Sequence, residues 1–166
     1  MNEIAREICA RLDAMGIAYR ALEHDAVRAI EDCAPIAAAL GGCMPKNYFL
    51  TPRRRLEPHL LIVRPEARLN TSDISRQAGS ARLGFGSEDA LWALLRTKRG
   101  AVSPLGMLFD GGKTRLLVDE ALCEERRLCF HPCDASATLC LDAADFFEGF
   151  LTGIGRGFDK VAVHER

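Results

Sequence analysis

Short apolar runs alternate with segments of helical periodicity along the whole chain, and this alternation limits the folds that the chain can adopt. Ile4, Ile8, Leu12 and Met15 recur at the spacing of one helix face, and Gly16 ends that pattern. The same reasoning predicts four more helices, at 30–40, 71–77, from residue 88 onward and at 143–152. Short apolar runs between them predict strands at 17–23, 48–50, 60–63, 107–109, 115–118, 128–130, 138–141 and 160–163.

Two turn sequences predict how some of these strands pair. A basic, proline-bounded turn joins 48–50 to 60–63, which is typical of a hairpin. Asp110-Gly111-Gly112-Lys113 joins 107–109 to 115–118 and predicts a second hairpin. Strands mixed with helices and hairpins predict an α/β fold with a mixed β-sheet. The length of 166 residues fits a single domain over 1–166.

The charge balance argues against a protein that holds nucleic acid non-specifically along a groove. Lys and Arg number 22 and Asp and Glu 23, which gives a net charge of −1. Proteins with such a groove are usually much more basic. Contact with a few phosphates stays open, and the densest basic run is Arg53–Arg55.

The cysteines and the N-terminus indicate the cytoplasm. Seven cysteines would leave at least one thiol unpaired in a secreted protein, and the N-terminus is acidic and helical in pattern, unlike a signal peptide. No apolar stretch is long enough to span a membrane, so we expect no membrane partner. Cys129, His131 and Cys133 alternate as ligands on a strand would, but the second half of a zinc site is missing, and we expect no metal.

Two polar features stand where a core strand would not need them. Lys46 and Asn47 directly precede an apolar strand, where a lysine can reach into a cleft and an amide can bind at a fixed angle. His131 follows another apolar strand and precedes Pro132, which suits a polar group at the mouth of a pocket. Taken singly, a solvent-exposed lysine and a near-surface histidine are the more frequent explanations of these residues.

A loop bounded by two glycines is the third feature. Glycine allows backbone amides to approach a ligand, and proline fixes the path of the chain. A tight connection between a helix and a strand is the alternative. The candidate binding residues of this loop are Gly100, Ser103, Pro104, Leu105 and Gly106. The chain lacks a phosphate-binding loop, a dinucleotide fingerprint, a zinc-protease motif and a nucleophile elbow.

Together, in this order and spacing, these residues resemble the YbaK superfamily of aminoacyl-tRNA editing domains, which also occur inserted in bacterial prolyl-tRNA synthetases. The most specific part of the resemblance is the succession of the motifs at 46–50, 100–106 and 130–132. The matching segments are 46–50 (KNYFL), 79–85 (GSARLGF), 100–106 (GAVSPLG) and 130–132 (FHP), with Glu23-His24, Asp110, Val118-Asp119 and Leu122.

The resemblance implies a trans-editing hydrolase that deacylates mischarged proline tRNA. The most similar branch removes alanine from Ala-tRNA(Pro), whereas relatives remove cysteine or other small amino acids. The implied chemistry is ester cleavage by a positioned water, with no covalent intermediate, metal or cofactor. The implied fold is a mixed sheet, partly barrel-like and surrounded by helices. The implied partners are the acceptor end of aminoacylated tRNA, with its terminal adenosine, and prolyl-tRNA synthetase; a homodimer and a catalytically inactive sensor stay open.

The resemblance also implies roles for single residues. Lys46 corresponds to the essential lysine, which binds the terminal phosphate or the ester region, and Asn47 is its neighbour in the pocket wall. The loop 100–106 would cradle the aminoacyl group, with the amides of its later residues near the carbonyl. His131 would lie beside the amino-acid pocket and decide which side chain fits.

Besides Tyr48, which is a mild change from the usual leucine at a wall position, two positions depart from the family pattern. Ala29 stands where the family usually has threonine, and Ala135 stands where it usually has asparagine. Each change removes a side chain that could form a hydrogen bond in or near the pocket. These departures bear on amino-acid preference more than on the reaction class.

Overall fold

The computed structural model describes residues 1–164 and arranges their strands in two sheets. The strands are β1 (Arg20–Glu23), β2 (Lys46–Pro52), β3 (His59–Val63), β4 (Leu83–Phe85), β5 (Arg115–Asp119), β6 (Arg127–Phe130), β7 (Ala137–Asp142) and β8 (Asp159–Val161). The smaller sheet has the order β1-β7-β6, and the larger has the order β4-β2-β3-β5-β8. The α-helices are α1 (Glu3–Ala14), α2 (Cys33–Leu40), α3 (Thr71–Ala78), α4 (Glu88–Leu95) and α5 (Leu151–Gly153).

The pairing confirms the predicted mixed α/β class. All pairs of the smaller sheet are antiparallel. In the larger sheet β2 is antiparallel to both neighbours, whereas β3, β5 and β8 run parallel. The sheets meet at one corner, where Cys43 forms a bridge with Leu128. Over residues 1–164 the strands form two open sheets joined at this corner and do not close into a barrel.

The larger sheet is buried on both faces, which explains the unbroken apolar run of β3. Successive side chains of a strand point to opposite faces. Leu60 and Ile62 therefore face the core between the sheets, which also contains Ile8 of α1 and Phe130 of β6. Leu61 and Val63 face the opposite side, where they pack with residues of α3. Burial of each such side chain contributes about 1.5–3 kcal/mol.

One predicted hairpin is confirmed and the other is wrong. β2 and β3 pair antiparallel from Lys46 opposite Val63 to Leu50 opposite His59. The residues before the second turn instead form a 3₁₀ helix, Pro104–Phe109, and β5 pairs parallel with β3 and β8. The Asp110 carboxylate closes this turn by accepting hydrogen bonds from the Gly112 and Thr114 amides, so the turn needs no strand partner.

The predicted helices form, with local differences at their ends. Asn2 and Ser87 cap α1 and α4 by accepting hydrogen bonds from backbone amides of the first turn. The 30–40 segment begins as a 3₁₀ turn and becomes α-helical at Cys33. The final helix contains a π-helical stretch, Asp145–Phe150, directly before α5. Among residues 1–164, none of the helices has both the length and the apolar character needed to cross a membrane.

Candidate active site

A cavity of about 210 Å³ opens at the corner where the two sheets meet. It brings together Lys46, Asn47, Gly100 and His131, which come from three separate parts of the chain. The remaining wall residues are Val27, Arg28, Ala29, Ile30, Cys33, Met44, Pro45, Tyr48, Val102 and Phe130. This volume suits a small acyl group rather than a large ligand.

Lys46 is the first residue of β2 and is held by the chain segment that follows β3. Its Nζ donates a hydrogen bond to the Ala67 carbonyl oxygen at 2.9 Å. That bond uses one of the three ammonium protons and fixes the side chain against the cavity wall. No carboxylate among residues 1–164 forms an ion pair with this ammonium. Its charge is therefore available to a ligand.

Asn47 has an unpaired acceptor in the cavity wall. Its Nδ2 donates to the Pro45 carbonyl oxygen at 3.0 Å, whereas its Oδ1 is buried and has no hydrogen-bond partner in the described part of the chain. A buried acceptor without a donor costs about 1–3 kcal/mol, so such atoms are rare in folded proteins. A ligand that offers a donor after a small adjustment of the wall would remove this cost.

His131 presents a neutral imidazole to the cavity. Its Nδ1 lies 2.7 Å from the Ala137 carbonyl oxygen, and because a carbonyl only accepts, Nδ1 carries the proton and Nε2 carries the lone pair. Burial lowers the pKa of His131 below its ordinary value of 6.5. The ring is therefore uncharged at neutral pH and offers an acceptor.

A second histidine, His24, lies next to His131 and outside the wall of the cavity. The Thr138 hydroxyl lies 2.8 Å from His24 Nε2, and His24 Nδ1 lies 2.8 Å from the Asp25 carbonyl oxygen. The carbonyl again assigns the proton to Nδ1, so Thr138 donates to Nε2. The two imidazole centroids are 6.0 Å apart. Glu23-His24 belonged to the sequence match, but nothing in the sequence indicated this contact with Thr138.

Only the beginning of the 100–106 loop reaches the cavity. Gly100, which has a left-handed φ of 90°, and Val102 lie in the wall. Ser103, Pro104, Leu105 and Gly106 are buried in the interior and are not wall residues.

The later amides of this loop are used within the loop itself. Leu105 N donates to Ser103 Oγ at 3.2 Å, and Gly106 N donates to the Ser103 carbonyl oxygen at 3.1 Å. A Cβ on Gly106 would lie 2.5 Å from the Leu95 carbonyl oxygen, so this glycine allows the loop to pack against the end of α4. In this conformation the later residues shape the cavity from behind, instead of offering their amides to a ligand.

Tyr48, which stands where the family usually has leucine, is a wall residue as the resemblance implies. It follows Lys46 by two positions, so both side chains lie on the same face of β2. The basic run Arg53–Arg55, by contrast, follows the other end of β2, roughly 20 Å along the strand from Lys46.

Metal ligation finds no support in the described residues. Within residues 1–164, no group of three or more His, Cys, Asp or Glu side chains is placed to hold a metal ion. Cys129 and Cys140 lie opposite each other on β6 and β7 as free thiols, away from the wall of the cavity.

The two open sheets and the corner cavity define a small α/β protein whose cavity combines a lysine, an amide and a neutral histidine. The chain belongs to the aminoacyl-tRNA editing domain family, whose model matches residues 24–148. It is 32% identical over 157 residues to the prolyl-tRNA editing protein ProX of Acetoanaerobium sticklandii, covering 94% of this chain and 95% of the relative. It is 31% identical over 149 residues to prolyl-tRNA synthetase associated domain-containing protein 1 of Mus musculus, covering 87% and 88%.

Solved structures show the same fold at lower identity. A protein described as a candidate trans-editing enzyme for prolyl tRNA synthetase superimposes with a TM-score of 0.78 at 17% identity, covering 100% of this chain and 99% of the other. The hypothetical protein APE2540 superimposes with a TM-score of 0.71 at 18% identity, covering 95% and 98%. These similarities confirm the predicted fold class of an editing-domain-like α/β protein.

Proposed function

We propose that the protein is a trans-acting deacylase that removes a small amino acid, alanine first, from mischarged proline tRNA. The observation that carries this proposal is the single cavity shared by Lys46, Asn47, Gly100 and His131. Membership in the editing family supplies the reaction class, and the names of the relatives supply prolyl-tRNA as the context. The domain over residues 1–166 would act as one catalytic unit in the cytoplasm, without a metal or cofactor.

For this reaction the protein mainly has to position the aminoacyl ester and the attacking water. An aminoacyl ester is already activated, because its leaving group is a ribose hydroxyl of the terminal adenosine. Water adds to the carbonyl carbon, the carbonyl oxygen takes up negative charge, and the ribose oxygen then leaves with a proton. The Lys46 ammonium would stabilise the negative charge or the neighbouring phosphate, and no protein nucleophile is required. Ser103, Pro104, Leu105 and Gly106 would hold Gly100 and Val102 in place around the acyl group.

The size of the cavity would supply selectivity. One methylene in an apolar pocket is worth only about 1–3 kcal/mol, so a synthetase that accepts proline cannot wholly reject alanine. A second cavity that admits alanine and excludes the proline ring removes the error. Ala29, one of the two departures from the family pattern, is a wall residue here, so it would affect which side chain fits.

A deacylation assay tests the proposal. The protein is incubated with alanyl-, cysteinyl- and prolyl-tRNA(Pro), and release of the amino acid is followed over time. We expect release from alanyl-tRNA(Pro) at least tenfold faster than from prolyl-tRNA(Pro). Tight binding of alanyl-tRNA(Pro) without release would contradict the enzyme and favour an inactive sensor of charged tRNA. Faster release of cysteine than of alanine would reassign the substrate within the same reaction class.

The His131→Ala substitution is expected to change the substrate ranking more than the rate. Removal of the imidazole enlarges the cavity, so the ratio of kcat/KM for alanyl- over prolyl-tRNA(Pro) should fall about tenfold. His59→Ala is a matched control because His59 is also buried but lies outside the cavity, with its Nδ1 bonded to the Glu57 carbonyl oxygen. An unchanged ratio in His131→Ala would show that His131 does not determine which amino acid the cavity accepts.

A further inference from the structure

Phe85 is the most exposed large apolar side chain of the described residues, with 69% of its surface accessible. It lies on β4, the edge strand of the larger sheet, between Gly84 and Gly86. Phe85 also ends the 79–85 segment of the family match, to which the proposed chemistry gives no role.

Phe85 and Tyr48 form an aromatic pair that begins at the cavity. Their ring centroids are 6.2 Å apart and the rings are tilted by 56°. Phe85 pairs with Leu50, which lies two residues after Tyr48 on β2. Because side chains alternate along a strand, Lys46, Tyr48 and Phe85 lie on one face of the sheet in successive steps of about 7 Å. Phe85 is exposed and Tyr48 is partly exposed, and sheets that bind single-stranded RNA stack successive bases on aromatic side chains at their surface.

Positive charges lie beside the same face. A groove of about 730 Å³ on the α3 side of the sheet is lined by Arg68 and Arg82, among other residues. Arg68 directly follows Ala67, whose carbonyl oxygen binds Lys46 Nζ, so the groove begins next to the cavity. Within residues 1–164 neither the Arg68 nor the Arg82 guanidinium is paired with a carboxylate.

Acidic charge in this groove is already compensated. Asp73, which lines it, forms an ion pair with Arg76 and accepts a further hydrogen bond from Gln77 at 2.9 Å. The two free guanidinium groups therefore leave the groove suited to phosphates. Aromatic rings at a surface together with unpaired cations are the combination by which proteins bind single-stranded nucleic acids.

We propose that Tyr48 and Phe85 form a stacking platform for the unpaired nucleotides that precede the aminoacylated terminal nucleoside of tRNA, with Arg68 and Arg82 contacting their phosphates. The inference rests on the proposed function, because it requires the terminal nucleoside to lie at Lys46. In this proposal, the surface that contacts the tRNA is one face of the larger sheet.

Two substrates that share the ester but differ in all nucleotides before the terminal adenosine test the platform. The first is alanyl-tRNA(Pro), and the second is alanyl-adenosine, which has the same ester but no preceding nucleotides. We expect Phe85→Ala to lower the ratio of kcat/KM for the first substrate over the second by about tenfold, since base stacking on an aromatic ring contributes about 1–3 kcal/mol. Phe85→Trp should retain the ratio of the wild type. Leu56→Ala is the control, since Leu56 is 64% exposed but lies in the turn at the far end of β2.

The outcomes separate the two proposals. A wild-type protein that hydrolyses neither substrate overturns the proposed function. A wild-type protein that is active while Phe85→Ala keeps the wild-type ratio overturns the stacking platform alone. An equal fall of the ratio in Leu56→Ala would also overturn it, because the effect would not be specific to this face.

The phosphate contacts have a separate readout. Arg82→Ala should reduce the slope of log kcat/KM for alanyl-tRNA(Pro) against log salt concentration by about one, the value expected for one lost phosphate contact. Arg11→Ala, which removes an exposed arginine of α1 on the opposite side of the larger sheet, should leave the slope unchanged. Equal slopes for Arg82→Ala and the wild type would show that Arg82 makes no contact with a phosphate.

Discussion

Lys46→Ala is expected to lower kcat/KM for the deacylation of alanyl-tRNA(Pro) by about a thousandfold, the loss typical of removing one electrostatic group from a reaction centre. Lys46 is the one lysine in the cavity wall, and its charge has no carboxylate partner within residues 1–164. The substitution removes only one hydrogen bond to a backbone carbonyl, worth about 0.5–1.5 kcal/mol. The Tm should therefore fall by no more than about 5 °C.

Two further variants sharpen this test. Lys46→Arg retains the charge but replaces a compact ammonium with a planar guanidinium, so we expect it to recover binding of tRNA more than the rate. Lys113→Ala removes an exposed lysine outside the cavity and should leave kcat/KM unchanged. If Lys46→Ala lost activity only in proportion to a large fall in Tm, the lysine would be a structural residue.

Asp110→Ala is expected to reduce the free energy of unfolding by about 3–5 kcal/mol, because it leaves a buried cation without its partner. The Asp110 side chain is fully buried and accepts a hydrogen bond from Arg156 Nη1 at 2.7 Å. It also accepts from the Gly112 and Thr114 amides at 2.9 and 2.8 Å. The turn before β5 and the chain after α5 are therefore held by one carboxylate. Thermal unfolding should show a fall in Tm of about 10 °C.

The matched control is an ion pair on the surface. Asp159→Ala removes an exposed carboxylate that binds Arg115 at 2.8 Å, and such pairs contribute about 0–1 kcal/mol. The double variant Asp110→Ala/Arg156→Met should recover part of the lost stability, because no unpaired charge is then buried. A loss in Asp110→Ala no larger than in Asp159→Ala, measured by urea unfolding, would contradict this role.

Elements defined by their own residues were predictable. Helices α1, α3 and α4 follow from apolar spacing and from capping residues at their N-termini, and these signals act within a single turn. The β2–β3 hairpin joins neighbouring strands, so its pairing also depends on local sequence. The Asp110–Lys113 turn carried an equally strong local signal, yet β5 lies between β3 and β8 in the sheet. Pairing with β3 buries Leu116 and Val118 on one face of β5 and Leu117 on the other.

The sequence indicated the motifs of the site, but it did not indicate which of their residues line the cavity and which are buried behind its wall. Lys46, Asn47 and His131 stand out because polar residues interrupt or end apolar strands, and all three reach the cavity. Ser103 to Gly106 belong to an equally conspicuous motif, yet they are buried behind the wall. The sequence does not distinguish a glycine that approaches a ligand from one that approaches Leu95.

The sequence by itself determined the α/β class, the positions of most helices and strands, and the residue types that bear on chemistry, because periodicity, capping and turn preferences depend on near neighbours. Only the tertiary structure decided that two sheets meet at Cys43, that the cavity lies at this corner and that Tyr48 and Phe85 share the face of Lys46. The physical reason is that these relations depend on which distant surfaces become buried together. That choice is made by packing over the whole chain and is not encoded in any one segment.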